Sequence, residues 1–217
     1  MIGIDSSTAT ASVAVYRGQV LAEVSWRAGR KHSAQLLSTL QLALDLAGVE
    51  KSSVHAIAVA SGPGSYSGLR VGVSTALGLA MALNIGVVEV PTLEVLAWTQ
   101  QAAVGERTIR AAVEVGRGNY GTASFQLGRV GPEPVAPLET ADLTRVLELA
   151  AAERALLVVD VDPETLAQTV ASGQDRVQLI SAAGCMRRAG FLCELASVRL
   201  SAQGGEPSLQ VDPVYLG

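Results

Sequence analysis

The sequence predicts an α/β fold in which strands and helices alternate, and three features of the chain lead to that prediction. The apolar segment Val54–Ala60 runs into a glycine-rich turn and then into a long apolar stretch, which is the order strand, turn, helix. The chain opens on another short strand pattern, Ile2–Asp5. Finally, 49% of the 217 residues are hydrophobic, and a compact chain of this length buries roughly 70% of its unfolded surface.

Residues 1–104 carry three strand patterns and then alternating helices and strands. A hairpin that turns at Arg17-Gly18 follows the first strand. The predicted strands are Ile2–Asp5, Ser12–Tyr16, Gln19–Ser25, Val54–Ala60 and Gly86–Val90, and the predicted helices are Ser33–Ala47, Ser67–Leu83 and Thr92–Gln101. This βββαβαβα order defines one structural half.

Residues 105–217 repeat the pattern in a degenerate form, without a literal sequence repeat. Strands are predicted over Thr108–Val115, Tyr120–Leu127, Leu156–Asp160 and Val177–Ile180, and helices over Ala141–Ala152 and Ser181–Ala196. We therefore predict two related halves that meet near Gly105, with the C-terminal segment packing back on the first half.

Charge and cysteine usage limit the classes of protein to which the chain can belong. The net charge is −4, with six basic and six acidic residues before Gly105 and ten and fourteen after it. Because nucleic-acid affinity comes largely from neutralising phosphates, we expect no tight autonomous RNA binding, and we interpret Arg187-Arg188 as part of a solvated helix face. Cys185 and Cys193 are too far apart for a zinc knuckle and are expected to stay reduced.

No secretory or membrane segment is predicted. The N-terminus begins with a strand pattern rather than with a charged leader and an apolar core. The apolar run Val71–Val90 is interrupted by Ser74, Asn84 and Glu89, so it fits a buried helix and strand better than a membrane span. We therefore expect the protein to be cytoplasmic.

The glycine-rich turn from Ser61 to Gly68 is the most distinctive motif of the chain. Gly62 and Gly64 allow a sharp turn and a close approach of bare backbone to a neighbouring group. Ser65 or Ser67 can cap the helix that follows. The turn has no Gly-Lys-Ser/Thr ending, so it is not a Walker A phosphate loop.

Together with this turn, the segment Ile2-Gly3-Ile4-Asp5-Ser6-Ser7-Thr8 resembles the first phosphate hairpin of the actin-like ATPase superfamily. Within that superfamily the chain resembles the TsaB (YeaZ) family of tRNA threonylcarbamoyladenosine biosynthesis proteins, which is related to TsaD (Kae1). The other resembling segments are Arg30-Lys31-His32-Ser33, Pro91-Thr92-Leu93-Glu94, Glu114–Tyr120 and Pro213-Val214-Tyr215-Leu216. The resemblance implies an actin-like, RNase H-like fold.

The same resemblance implies a nucleotide site whose residues are Asp5, Ser6, Ser7 and Thr8. In the superfamily, the Asp holds magnesium through water, while hydroxyl and N–H groups hold phosphate. A second hairpin is also required, and the nearest candidate, Val158–Asp162, lacks the glycine and the hydroxyl that it uses. Two alternatives stay open: weak contact with ATP or ADP and magnesium at a partner interface, or a structural role for Asp5. No cofactor is expected to be required.

No metal site is expected. In the catalytic TsaD relatives, the helix after the third alternating strand begins with two metal-binding histidines at positions i and i+4. The resemblance places Thr92 and Leu96 there, and a leucine cannot ligate a metal while a threonine hydroxyl is a poor ligand. His32 and His55 are interpreted as surface or capping residues, and no catalytic residue is assigned.

Small residues on the second long helix predict a surface for close helix contact. They form two rows with a spacing of four, Gly72, Ala76, Ala80 and Ser74, Gly78, Ala82. The resemblance implies that the first two helices bind TsaD, in a heterodimer that replaces a homodimer of this chain, and that TsaE joins the assembled complex. The implied contact residues are Leu36, Leu37, Leu40, Val71, Thr75 and Leu79.

The implied function is that of a non-catalytic dimerisation subunit, which binds and activates TsaD in the synthesis of N6-threonylcarbamoyladenosine at position 37 of tRNA (t6A37). Two alternatives belong to other classes. A peptidase or glycoprotease of the M22 type needs a base for Ser65 or Ser67 that neither histidine obviously supplies. A small-molecule kinase that uses Asp5 needs the second phosphate hairpin.

Overall fold

The computed structural model describes residues 1–29, 32–102, 107–161, 164–165, 178–181, 183–202 and 208–216. This part of the chain forms five layers in the order helix, sheet, helix, sheet, helix. The predicted boundary at Gly105 lies outside the described residues, as do Arg30, Lys31, Asp162 and Val177.

The first sheet has the strand order β3-β2-β1-β4-β5. Its strands are β1 (Ile2–Asp5), β2 (Thr10–Tyr16), β3 (Val20–Arg27), β4 (Ala56–Ala60) and β5 (Gly86–Val90). Strands β1, β2 and β3 pair antiparallel, whereas β4 and β5 run parallel to β1. Every side chain of β1 and β4 is buried, because helices cover both faces at the centre of the sheet.

The second sheet has the order β10-β9-β6-β7-β8, which repeats the topology of the first. Its strands are β6 (Ile109–Gly116), β7 (Asn119–Leu127), β8 (Pro132–Asp142), β9 (Leu156–Asp160) and β10 (Gln178–Leu179). Again an antiparallel group of three is extended by two parallel strands. The predicted α/β class with two related halves is therefore confirmed.

The helices pack on both sides of each sheet. They are α1 (His32–Ala47), α2 (Tyr66–Leu83), α3 (Thr92–Trp98), α4 (Leu143–Ala152) and α5 (Ala189–Ala202), and Lys51–Ser53 forms a short 3₁₀ turn. Helices α1 and α2 cover the outer face of the first sheet, and α4 covers the outer face of the second. Between the sheets, α5 packs on the first and α3 on the second.

Helix α2 is, within the described ranges, the one helix long and apolar enough to cross a membrane, with a mean hydropathy of 1.2 over 18 residues. It packs on β4 and β5 and buries Leu69, Val73 and Ala76. Its apolar character is thus explained in part by this buried face, whereas the opposite face of the helix is exposed.

The largest differences from the sequence prediction, by three residues or more, concern β8, α5 and α3. Strand β8 is not predicted because prolines at 132, 134 and 137 interrupt any strand pattern, yet proline is tolerated in an edge strand such as this one. Helix α5 begins at Ala189 instead of Ser181, since residues 183–185 form a turn in which the Cys185 amide donates to the Ser181 carbonyl. Helix α3 ends at Trp98, three residues earlier than predicted.

A buried arginine ties the second sheet to the end of α4. Arg110 on β6 is 1% exposed, and its guanidinium donates to both carboxylate oxygens of Glu153 and to Glu139. Ser124 also donates to Glu153, at 2.5 Å. Burial by itself would raise the pKa of Glu153, but the hydrogen bonds from Arg110 and Ser124 outweigh it and hold that pKa below its ordinary value.

Removal of the Glu153 charge should destabilise the protein in a pH-dependent way. At pH 7 we expect Glu153→Gln to cost about 1.5–3 kcal/mol, because Arg110 loses charge-assisted hydrogen bonds. The pKa of Glu153 is lowered on folding, so its contribution is complete above the ordinary pKa of 4.5 and is lost as the pH falls through the folded value. Urea unfolding should therefore show a smaller effect of the substitution at pH 3 than at pH 7. An equal effect at both would contradict the assignment.

Candidate functional site

The hairpin between β1 and β2 begins with a buried carboxylate. Asp5 is fully buried, and its Oδ1 accepts hydrogen bonds from the amide (3.0 Å) and the hydroxyl (2.6 Å) of Ser7. Its Oδ2 forms an ion pair with Nη2 of Arg187, which is also fully buried, at 2.5 Å. The same Nη2 donates to Ser7 Oγ at 2.7 Å. We refer to Asp5, Ser7 and Arg187 as the Asp5 cluster, in which the two charges offset each other.

The other hydroxyls of this hairpin also bond within the protein. Ser6 Oγ donates to the carbonyl of Gly68 at 2.8 Å, and Thr8 Oγ1 donates to the carbonyl of Thr10 at 3.3 Å. The structure therefore brings the predicted nucleotide residues together beside the start of α2, but each of them has a partner in the chain itself.

The glycines of the glycine-rich turn fit against the backbone of this hairpin. A Cβ on Gly64 would lie 2.2 Å from the Ser7 carbonyl oxygen, and a Cβ on Gly68 would lie 2.1 Å from that of Ser6. The Ser65 amide donates to the same Ser7 carbonyl at 2.7 Å. The sequence predicted that bare backbone of this turn would lie close to a neighbouring group. In the structure, that group is the backbone of the protein's own first hairpin.

A cleft of about 680 Å³ lies between the two halves, beside the first hairpin. Both halves contribute to its walls, which combine polar and apolar side chains. The lining residues include Thr8, Thr10, Ser65, Glu114, Gly116 and Asp160. Asp160 Oδ2 is buried and has no hydrogen-bond partner in the described part of the chain.

The structural counterpart of the first hairpin in the second half is the β6–β7 turn, which corrects the prediction of Val158–Asp162. Topology makes β6 and β7 the equivalents of β1 and β2. The turn at Gly116-Arg117-Gly118 has positive φ at all three residues, 118°, 55° and 75°. It supplies glycine but no hydroxyl side chain. The predicted segment instead ends strand β9 at Asp160, on the wall of the cleft.

Thr92 and Leu96, the positions implied for a histidine pair, are both fully buried. Thr92 Oγ1 accepts a hydrogen bond from the Gly62 amide at 3.1 Å, and the Thr92 amide donates to the Gly62 carbonyl at 2.7 Å. Leu96 packs in the core with residues of the second sheet. This helix start therefore anchors the glycine-rich turn. Among the residues that the structure describes, no three His, Cys, Asp or Glu side chains converge to hold a metal ion.

The candidate nucleophiles lack surroundings that would activate them. Ser65 is the N-cap of α2, and its hydroxyl lies 3.3 Å from that of Ser67. The described hydrogen bonds of this pair involve no histidine or carboxylate, which an activated serine requires. Burial raises the pKa of Cys185 to about 11 and that of Cys193 to about 12, so both remain thiols at neutral pH.

The predicted contact residues of the first two helices divide into two groups. Leu36 and Leu40 are 1% and 3% exposed, because they belong to the face of α1 that packs on the first sheet. This corrects their assignment, since side chains in the core are not accessible to a partner. The other four predicted residues retain exposed surface: Leu37, Val71, Thr75 and Leu79.

The two rows of small residues on α2 have opposite environments. The row at 72, 76 and 80 is buried against the first sheet, whereas the row at 74, 78 and 82 is exposed. A Cβ on Gly78 would meet nothing within 4 Å. Large apolar side chains are exposed on both helices as well. We define the α1–α2 face as Leu37, Leu42, Leu46, Ser74, Gly78, Met81 and Ala82.

Sequence reasoning missed the partner of Asp5. The interpretation of Arg187-Arg188 as a solvated helix face is wrong for Arg187, which is buried and precedes α5. Arg188 is exposed and pairs with Glu23 at 2.9 Å. No local signal distinguishes the two arginines, because Asp5 lies 182 positions from Arg187.

The class of protein follows from three features. The two sheets share one topology, the first hairpin begins with the carboxylate of Asp5, and a cleft lies between the halves. The chain therefore has an actin-like ATPase fold. The structure of an inorganic polyphosphate/ATP-glucomannokinase from Arthrobacter sp. strain KM shares this fold. It has a TM-score of 0.51 and 12% identity, over 91% of this chain and 98% of that one. At such low identity the likeness shows the fold alone.

A sequence profile of the family described as "TsaD: tRNA N6-adenosine threonylcarbamoyltransferase" matches residues 20–156, more than half of the chain. The chain therefore belongs to this family.

Individual relatives place the likeness within the TsaB (YeaZ) branch of that family. The structure of YeaZ from Pseudomonas aeruginosa has a TM-score of 0.81 and 27% identity, over 99% of this chain and 98% of that one. The tRNA threonylcarbamoyladenosine biosynthesis protein TsaB of Escherichia coli (strain K12) is 28% identical over 126 residues, which are 58% of this chain and 54% of that protein. The chain spans about half the length of the first curated relatives it matches. The resemblance inferred from the sequence is confirmed.

The fold class implies a nucleotide with magnesium in the cleft, and the first hairpin does not fit that group. Both carboxylate oxygens of Asp5 have partners within the chain. At Gly64 and Gly68, the space beside the bare backbone is occupied by the Ser7 and Ser6 carbonyls, so these two glycines offer no open cradle to a phosphate. In the arrangement observed, the Asp5 carboxylate and these two glycines are therefore taken up by contacts within the chain.

The close approach of α2 to the first hairpin can be tested by the same substitution at two glycines of that helix. Gly68→Ala should destabilise the protein by about 1–3 kcal/mol, because the new Cβ would overlap the Ser6 carbonyl. Gly78→Ala is the matched control and should stabilise it by up to about 1 kcal/mol, since alanine favours the helix and the space is open. Urea unfolding of both variants measures the difference. Equal stabilities would argue against the observed packing.

Proposed function

We propose that the chain is a non-catalytic subunit of the machinery that makes t6A37 in tRNA. Its TsaB relatives are named as tRNA threonylcarbamoyladenosine biosynthesis proteins, which indicates involvement in that process. Within it, the chain would bind a TsaD-type transferase and hold that enzyme in its active arrangement. The observation that carries the proposal is the α1–α2 face, where apolar and small side chains are exposed on two adjacent helices.

Support for a non-catalytic role comes from the state of the reactive groups. The Asp5 carboxylate is neutralised by Arg187, the Thr92 hydroxyl accepts the Gly62 amide, and burial keeps the cysteine thiols protonated. Each of these groups would have to leave its present partner or environment before acting on a substrate. Chemistry on the tRNA would therefore belong to the transferase.

The composition of the α1–α2 face suits contact with another pair of helices. Small residues at i and i+4 let a facing backbone approach closely. Met81, which is 73% exposed, adds apolar area on the exposed side of α2, and Leu37 and Leu46 are 57% and 66% exposed on the neighbouring α1. Concentrated exposed apolar side chains commonly mark protein interfaces. A standard interface needs roughly 800 Å² from each partner. Helix α2, which is about 27 Å long, can supply part of that area.

The proposal includes the remaining expectations for partners and location. The chain without a partner would form a homodimer through the same face, and TsaE would join the assembled heterodimer. Any contact with ATP or ADP and magnesium would arise at the partner interface. The protein would act in the cytoplasm and would bind tRNA weakly, if at all, without the transferase.

A charge in the exposed small-residue row should block the heterodimer without unfolding the chain. Gly78→Glu places a carboxylate where a facing helix would approach, and the site has room for it in the isolated protein. We expect binding to the TsaD-type protein of the same organism to weaken at least tenfold, while the melting temperature stays close to that of the wild type. Calorimetric titration of the two purified proteins measures the affinity.

The matched control for this experiment is Thr144→Glu, which adds the same charge at an exposed position of α4 in the other half. That variant should bind like the wild type. Unchanged affinity of Gly78→Glu would place the interface elsewhere, and equal weakening by both variants would point to a general charge effect.

Loss of the protein from cells should lower the t6A content of tRNA. Mass spectrometry of tRNA nucleosides measures this directly. We expect the wild type and Thr144→Glu to restore t6A, and Gly78→Glu to fail. An excess of the transferase should not compensate, because the subunit is required for its active arrangement. Full compensation would contradict the activating role.

No specific observation favours the alternative enzyme classes. A peptidase would need a base near Ser65, and the kinase reaction would need an open carboxylate at Asp5. The purified chain should therefore show neither peptide hydrolysis nor phosphoryl transfer from ATP. Turnover of either substrate that is lost in the corresponding Ser65→Ala or Asp5→Ala variant would overturn the proposal.

A further inference from the structure

The Asp5 cluster contains an internal cation at the position where the fold class implies a metal ion. We propose that the Arg187 guanidinium is the permanent counter-ion of Asp5, and that it excludes a divalent cation and its nucleotide from the first hairpin. This inference goes beyond the proposed function, because it concerns the first hairpin of the chain itself and not the contact with a partner.

The first step of the argument is electrostatic. The side chains of Asp5 and Arg187 both have 0% exposure, and an isolated charge at that depth is strongly unfavourable. Arg187 Nη2 lies within hydrogen-bond distance of both Asp5 Oδ2 and Ser7 Oγ. It therefore uses the carboxylate and hydroxyl oxygens that a cation at this hairpin would need.

The second step concerns the position of the arginine. The backbone that directly follows its Cα is held to the first sheet by two hydrogen bonds: Ser25 Oγ donates to the Arg187 carbonyl at 3.1 Å, and the Ala189 amide donates to Ser12 Oγ at 3.0 Å. Ser25 and Ser12 are themselves joined by a hydrogen bond of 2.9 Å. The fold thus holds the arginine backbone beside the hairpin, with the fully buried guanidinium against Asp5.

The third step concerns how well the pair is satisfied. Nε and Nη1 of Arg187 are buried without a hydrogen-bond partner in the described residues. A buried ion pair with incomplete hydrogen bonding adds little stability over neutral side chains of similar volume, yet removal of one partner is costly. The cluster therefore predicts strongly non-additive effects of substitution at Asp5 and Arg187.

A double-mutant cycle tests this prediction. Asp5→Asn and Arg187→Met should each lower the urea midpoint markedly, because each leaves one buried charge without its partner. The double variant should recover more than half of the larger loss. Arg188→Met serves as the control, since the Arg188 side chain is half exposed in its ion pair with Glu23 and should contribute less than the fully buried pair. Additive losses at Asp5 and Arg187 would overturn the proposal.

Chemical rescue identifies the role of the cation itself. Truncation in Arg187→Ala leaves space at Asp5 for a free ion, so millimolar guanidinium or magnesium chloride should raise the melting temperature of this variant saturably. Sodium chloride of equal ionic strength should not, and neither should guanidinium or magnesium with Asp5→Asn/Arg187→Ala. If Arg187→Ala does not fold alone, its refolding yield with each salt gives the same comparison. Absence of an effect beyond that of sodium chloride would overturn the proposal.

Calorimetry on the wild type completes the test. Titration with magnesium and ATP should give no saturable heat, because the guanidinium already neutralises Asp5. Micromolar binding that disappears in Asp5→Asn would overturn the proposal, even if the double-mutant cycle were non-additive.

Discussion

The buried ion pair between Asp5 and Arg187 is the constraint on which the centre of the molecule depends. It joins positions 182 residues apart and brings the segment before α5 onto the first sheet. Asp5 also accepts hydrogen bonds from the amide and the hydroxyl of Ser7, so the ion pair helps to set the shape of the first hairpin. That hairpin in turn receives the glycine-rich turn, whose bare backbone packs on the Ser6 and Ser7 carbonyls. Charge, hairpin and helix start therefore form one connected unit.

A second consequence is that the two halves are locked together through the middle layer. Trp98 of α3 donates to Glu194 of α5 at 3.3 Å, and Arg199 of α5 pairs with Glu94 of α3 at 2.5 Å. Burial raises the pKa of Glu94, and the Arg199 charge opposes that rise. The C-terminal residues also return to the first half, where the Val214 amide donates to the Ser61 carbonyl at 2.8 Å. The outer helices α1 and α2 therefore lie on a scaffold that is held together by contacts between both halves.

Local patterns were sufficient for most of the first half. Strands β1 and β5 follow the predicted limits, and α1 and α2 begin one residue before theirs. Burial of one face leaves a periodic spacing of apolar residues in the sequence, and burial of both faces leaves a continuous apolar run. The pattern failed at β8, where prolines are tolerated only because the strand lies at an edge. It also failed at α5, whose predicted first turns are replaced by the segment that carries Arg187 to Asp5.

The sequence by itself determined the α/β class, the family resemblance, the need for glycine at the turn before α2 and the lack of ligating chemistry at Leu96. These properties depend on residue type and on spacing along the chain. Only the tertiary structure decided that Arg187 is buried while Arg188 is solvated, that Leu36 and Leu40 face the core, and that Gly78 lies on the open side of α2. Helical periodicity defines which residues share a face, but the sheet and helices packed beside that face determine whether it meets the core, a counter-ion or another protein.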